Sequence, residues 1–138
     1  MSFETSLQKL ADGAALKVAE LTHRHAILKF NMSSGRVQTV WVLPFDDVWE
    51  FSAQSMLEYD SVDDFPLWIL QTVLAKNSKN KRAFWCLEEL RGKHILSAMV
   101  NFPNAALTAA EFDRICRALA QEVDNFEQII FKALSRVK

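Results

Sequence analysis

Three histidines, His23, His25 and His94, and two aspartate pairs, Asp46-Asp47 and Asp63-Asp64, are the side chains here that could hold a metal or move a proton. His23 and His25 are two apart, so on a strand they would face one side and share an ion with His94 as a third ligand. No carboxylate or cysteine is spaced to join them, and they read as surface turn histidines. Each aspartate pair precedes a predicted strand or helix, where a turn or a cap wants aspartate in any case. Cys86 and Cys116, the only two cysteines, lie far apart inside apolar segments and read as reduced core thiols. There is no serine in a nucleophile elbow, and three scattered glycines cannot build a phosphate loop. The expectation is a protein without metal, cofactor or catalytic residues, and therefore not an enzyme.

What remains is chemistry of contact. Lys76, Lys79, Lys81 and Arg82 form the one basic cluster, which reads as a solvated loop or a dock for an acidic segment. Four tryptophans, Trp41, Trp49, Trp68 and Trp85, are many for one small core, and tryptophan is enriched at binding hot spots. Val40 and Val42 alternate with Trp41, so both faces of that strand carry apolar groups. Val40, Val42 and Trp49 are accordingly candidates for contact with a protein partner.

The elements that position these residues follow from periodicity. The chain has 138 residues, half of them hydrophobic and 24% charged, which suits one folded domain over residues 1–138. A net charge of -1 gives no field to hold a polyanion, so nucleic acid is not expected as a partner. The amino terminus has no basic start followed by an apolar stretch, and no apolar run reaches the roughly 18 residues of a membrane span. The expected location is the cytoplasm.

Phe3, Leu7 and Leu10 predict a helix over 3–12, with Gly13 just past its end. Residues 16–21 fit a helical extension or a strand equally well. Ala26, Leu28, Phe30 and Met32 alternate with Ile27, Lys29 and Asn31, Ser33-Ser34-Gly35-Arg36 makes a turn, and Val37, Thr39, Trp41 and Leu43 alternate again. After the Asp46-Asp47 turn a third strand, 48–56, puts Trp49, Phe51 and Ala53 on one face, completing an antiparallel meander. Asp63-Asp64 before Phe65-Pro66 predicts the start of a helix running to about Lys76. Its steps place Phe65, Trp68, Ile69 and Val73 on one side and Leu67, Leu70 and Leu74 on another. The second side has no partner on a single sheet face, so Leu67, Leu70 and Leu74 are expected at a homodimer contact.

A hairpin follows over 83–90 and 94–102, turning at Arg91-Gly92-Lys93, with Leu96, Ala98, Val100 and Phe102 sharing a face. Thr108-Ala109-Ala110-Glu111 is a capping box. The final helix carries Phe112, Cys116, Leu119, Val123, Phe126, Ile130, Ala133 and Val137 in a stripe roughly 40 Å long. Helices segregated from one antiparallel sheet, in the order α-βββ-α-ββ-α, define an α+β fold.

That order resembles the fold shared by type III secretion chaperones and the YbjN family. Over residues 62–137 the wording is similar too. Leu70 to Asn77 closes a helix, Phe84-Trp85-Cys86-Leu87-Glu88 leads to Gly92, and Ile95-Leu96-Ser97 leads to Phe102-Pro103. Leu107-Thr108-Ala109-Ala110-Glu111-Phe112 and Val123-Asp124 fall in the last helix, with an aspartate in mid-course. The resemblance implies a homodimer that binds a polypeptide along sheet edges and apolar patches, with the second helix at the dimer contact. The expected function is a chaperone-like module holding an apolar or extended segment of a client protein. The alternatives are a ligand-binding or enzymatic domain with its site between sheet and long helix, and a structural subunit of a larger complex.

Overall fold

A computed structural model describes residues 1–136. The elements are α1 (Phe3–Gly13), β1 (Val18–Leu21), β2 (Ala26–Asn31), β3 (Val37–Phe45), β4 (Val48–Tyr59), α2 (Leu67–Lys79), β5 (Phe84–Leu90), β6 (Lys93–Pro103) and α3 (Ala109–Ser135). Single 3-10 turns at Val62–Asp64 and Asn104–Ala106 precede α2 and α3. All six strands form one antiparallel sheet in the order β1-β2-β3-β4-β6-β5. The fold is α+β as expected, with the open question at 16–21 resolved as a strand that adds to the meander. Val137, the last residue of the expected stripe, lies outside the described residues.

The apolar stripe of α3 lies across β3, β4 and β6. Phe51 meets Phe112 edge-on at 5.7 Å between ring centres, and Trp85 meets Phe126 at 4.5 Å. The space between sheet and helix is thus filled by fully buried side chains such as Val40, Val42, Phe51, Phe112 and Phe126, which is how antiparallel sheets bury one face only. α2 lies along β5 at the sheet's edge, burying Phe65, Ile69 and Val73. There Asn77 donates from Nδ2 to the Trp85 carbonyl and accepts from the Trp85 N–H at its own Oδ1, at 3.0 and 2.6 Å.

Three local expectations change. Gly13 is inside α1, not beyond it, because a Cβ there would lie 2.9 Å from Ala109 Cβ where α1 crosses α3. The left-handed position past the helix falls to Ala15, at φ 57°. The Leu16 N–H bonds the Ala11 carbonyl and the Ala15 N–H that of Asp12, a Schellman ending with alanine where glycine is usual. The Asp63-Asp64 pair does not cap α2. Ser61 caps the 3-10 turn by accepting from the Asp63 N–H, and α2 starts after Pro66 without a side-chain cap. The capping box at α3 is half made: Thr108 accepts from the Glu111 N–H, while the Glu111 carboxylate pairs with Arg82 and Arg114.

Candidate protein-binding surfaces

Strand alternation decides what the sheet shows on the side away from α3. Val40, Val42 and Phe51 point into the core, so Trp41 and Leu43 of β3, Glu50 and Ser52 of β4, and their register partners on β6 and β5 point the other way. Ile95 and Met99 lie on this second face and stand apart from the main core cluster. The face curves into a hollow of about 660 Å³. Trp41, Leu43 and Ile95 give it an apolar floor, with Ser52 beside them and Glu50, Glu58 and Glu88 around it.

The hollow carries three glutamates against Arg91 and Lys93. None of the three glutamates has a cationic partner within ion-pair distance among the described residues. Lys93 at the rim pairs with Asp60, and Glu88 accepts only from the Ser97 hydroxyl, at 2.7 Å. Burial, aided by the charge of Glu88, pushes the Glu50 carboxyl above its ordinary value. Burial first, and then Glu88 and Glu50, push the neighbouring Cys86 thiol up to about 11. Partial burial lets these charges act on one another more strongly than in open water.

The second apolar surface is the outer side of α2. Leu67 is 69% exposed and Leu74 67%, while Leu70 is half-buried against the core. Trp68 is 40% exposed and belongs to this outer side, against the expectation that it faces the sheet. Two of the four tryptophans are therefore core, Trp49 and Trp85, and two reach the surface, Trp41 and Trp68.

Beneath the start of β3 lies a polar cluster inside the core. Asp124, fully buried on α3, accepts from the Ser34 hydroxyl and the Gln38 amide, both at 3.0 Å, and from the Gln128 amide at 2.9 Å. Glu127, one turn on, accepts from Arg36 at 2.6 Å and Gln38 at 2.7 Å. Its other oxygen accepts from the Met56 N–H at 2.7 Å. That last bond has a topological cause. β4 spans Gln54 to Glu58 while β6 spans only Ser97 to Ile95, so β4 carries two extra residues, a wide irregularity that keeps the face alternation because two is the side-chain period. The β3–β4 ladder runs only from Phe45↔Val48 to Trp41↔Ser52. Beyond it the strands part around a cavity of about 540 Å³ lined by Val37, Thr39, Gln54 and Met56.

This arrangement corrects one expectation outright. Val40 and Val42 have no exposure and Trp49 only 3%; all three pack in the core, and Trp49 meets Phe3 at 4.9 Å. They cannot touch a partner in this fold, because the face offered to solvent is the alternate one, that of Trp41 and Leu43. Leu67, Leu70 and Leu74 do share one side of α2.

The groups with possible chemistry stay apart. His23 lies in the bend between β1 and β2, so it shares no strand face with His25; His25 meets Glu20 and the Trp41 ring instead. His94 is on β6, opposite Glu89 and Tyr59. No group of three or more potential metal ligands is assembled among the described residues. Asp46-Asp47 forms the β3–β4 turn, with Asp46 at φ 50°. Of the basic cluster, Lys76 pairs with Glu122 and Arg82 with Glu111, which leaves Lys79 at the end of α2 and Lys81 in the loop after it. Cys116 is buried as expected, but Cys86 is only half-buried, on the open face; neither is in a disulfide. No described helix is long and apolar enough to cross a membrane.

In the sequence Arg36 is marked only as a turn residue and Asp124 only as a mid-helix aspartate, while Gln38 and Glu127 went unread, although a signal exists. Gln38 occupies the inward phase of Val40 and Val42, and Asp124 and Glu127 sit beside Val123 and Phe126 in the buried stripe.

No family model matches this sequence, and no curated protein matches it. Solved structures do share its fold. A chain of the HopA1-SchA chaperone–effector complex superposes with a TM-score of 0.63 at 12% identity, covering 91% of this chain and 93% of that one. YbjN from E. coli, described as a candidate transcription regulator, superposes with a TM-score of 0.61 at 13% identity, covering 87% of this chain and 84% of that one. The fold is thus the one that type III secretion chaperones and YbjN share.

Proposed function

We propose that this protein is a chaperone-like binding module, a homodimer joined through Leu67, Leu70 and Leu74 that holds an apolar or extended segment of a client protein on its open sheet face. The observation that carries the reading is the unpaired face itself. Trp41, Leu43 and Ile95 form an apolar floor that no described helix covers, and a concave apolar surface with a polar rim is what a protein partner fits. Likeness to a chain of a chaperone–effector complex supports the same reading. Between sheet and long helix, Phe51, Phe112 and Phe126 fill the middle, and the polar groups at the Glu127 end bond one another. The cytoplasm remains the expected setting, and no catalytic role is assigned.

Affinity purification of the tagged protein from its own cells, with mass spectrometry, tests the function. A client protein recovered in stoichiometric amount with wild type and lost with Trp41→Ala is the expected result. Recovery that is indifferent to Trp41→Ala would place the client elsewhere on the molecule.

A further inference from the structure

The hollow on the open face has a chemistry more specific than apolarity. Glu50, Glu58 and Glu88 border it with no cationic partner among the described residues, and Lys93 is drawn off by Asp60. Arg91 at the rim forms no ion pair either. Ser52, only 5% exposed, also lines the hollow and adds a small hydroxyl to its floor. Carboxylates gathered in a partly buried hollow repel one another.

We propose that this hollow receives a client segment in which one lysine or arginine is flanked by large apolar side chains, the cation lying between Glu50 and Glu88 and the apolar groups on Trp41, Leu43 and Ile95. The proposal rests on the reading of the open face as the client-holding surface. Complementarity of charge selects the occupant: a cation placed between the two glutamates relieves their repulsion, and its donors match carboxylates that form no ion pair among the described residues. The upward push on the Glu50 carboxyl, from burial and then from Glu88, is in keeping with a site that lacks its cation. A metal ion is a poorer occupant, since no set of three or more ligands converges among the described residues. An acidic segment would meet three glutamates, and a purely apolar one would leave them dehydrated without compensation.

Fluorescence anisotropy with the dye-labelled peptide Gly-Ser-Leu-Val-Arg-Leu-Ile-Ser-Gly, and with versions carrying citrulline or glutamate for arginine, tests this. The arginine peptide is expected to bind at least about 10-fold tighter than the citrulline peptide. In Glu50→Gln/Glu88→Gln the advantage should shrink to within about two-fold, and Trp41→Ala should weaken the arginine and citrulline peptides alike. If Trp41→Ala does not fold, judged by circular dichroism, Leu43→Ser replaces it. Equal binding of arginine and citrulline peptides, still sensitive to Trp41→Ala, would overturn the selection of a cation while leaving the open face as client surface. A preference that survives in Glu50→Gln/Glu88→Gln would overturn the assignment to those glutamates. No binding by any peptide, or binding indifferent to Trp41→Ala, would overturn the proposal together with the open-face reading.

Discussion

At the scale of residues, the unusual groups are charges in places that resist them. Cys86 is half-buried yet its thiol is raised to about 11, by burial, Glu88 and Glu50 in that order, so at pH 8 only about one molecule in a thousand carries the reactive thiolate. Labelling by a disulfide reagent should therefore be slow, and Glu50→Gln/Glu88→Gln should speed it at unchanged pH; an unchanged rate would assign the whole effect to burial. Glu50 itself has a carboxyl raised above 4.5. A carboxyl raised on folding is protonated in the folded state while ionised in the unfolded one, so stability falls as pH rises from 4.5 through the raised folded value. Glu50→Gln should then melt above wild type at pH 7, by a margin that solvent screening keeps small, with the gap closing below the ordinary glutamate range. Arg36 carries the opposite role. Its removal leaves Asp124 and Glu127 buried without a cation; since the Arg36 side chain is 28% exposed, Arg36→Ala should cost about 2–3 kcal/mol, below the ~3–5 of a fully buried pair, measured by urea denaturation. None of this cluster was legible, because an aspartate or glutamate inside an apolar stripe looks like one on its edge until a sheet is laid against it. Gln38 gave the same ambiguity on its strand.

Among the elements, those with strong periodicity were readable and those set by neighbours were not. α3 and both long hairpins follow their patterns, whereas β1 has only four residues and acquires its strand form by pairing with β2, through a shifted register at Val18 and Glu20. The start of α2 was misplaced because Asp63-Asp64 satisfies a general cap rule while the local turn uses Ser61. The end of α1 was misread for a similar reason: Gly13 answers to Ala109 across the helix crossing, and Ala15 takes the strained turn. These two positions make a paired prediction. Gly13→Ala should lower stability by about 1 kcal/mol despite alanine's better helix propensity, and adding Ala109→Gly should restore most of it. Ala15→Gly should raise stability by about 0.5–1 kcal/mol, since left-handed backbone penalises a Cβ. Thermal melts of the four proteins decide both; a stabilising Gly13→Ala would mean that α1 moves away from α3 freely.

For the whole molecule, the order of elements was enough to anticipate one sheet with segregated helices, but not which sheet face would be closed. That depended on whether Val40 or Trp41 points inward, and two apolar phases on one strand leave the choice to the helix that packs there. The assembly is decided at this scale as well. Leu67 and Leu74 each expose most of their surface, and burying such a side chain contributes about 1.5–3 kcal/mol, part of which offsets association entropy. Leu67→Glu/Leu74→Glu should give a monomer by light scattering at concentrations where wild type is a dimer, with an unchanged melt of the monomer's own core. A wild type that stays monomeric at high micromolar concentration would remove the dimer.

The hold of Asn77 on Trp85 bears on how such copies can multiply. A β5 edge with free backbone groups would invite another copy's strand, and with β1 open at the far side the result would be growth without end, the route to fibres. One amide side chain occupies both backbone groups of Trp85 and so acts as a stop on lateral polymerisation. The proposed association through the outer side of α2 would escape that hazard, because a two-fold contact between helices uses itself up and closes at two.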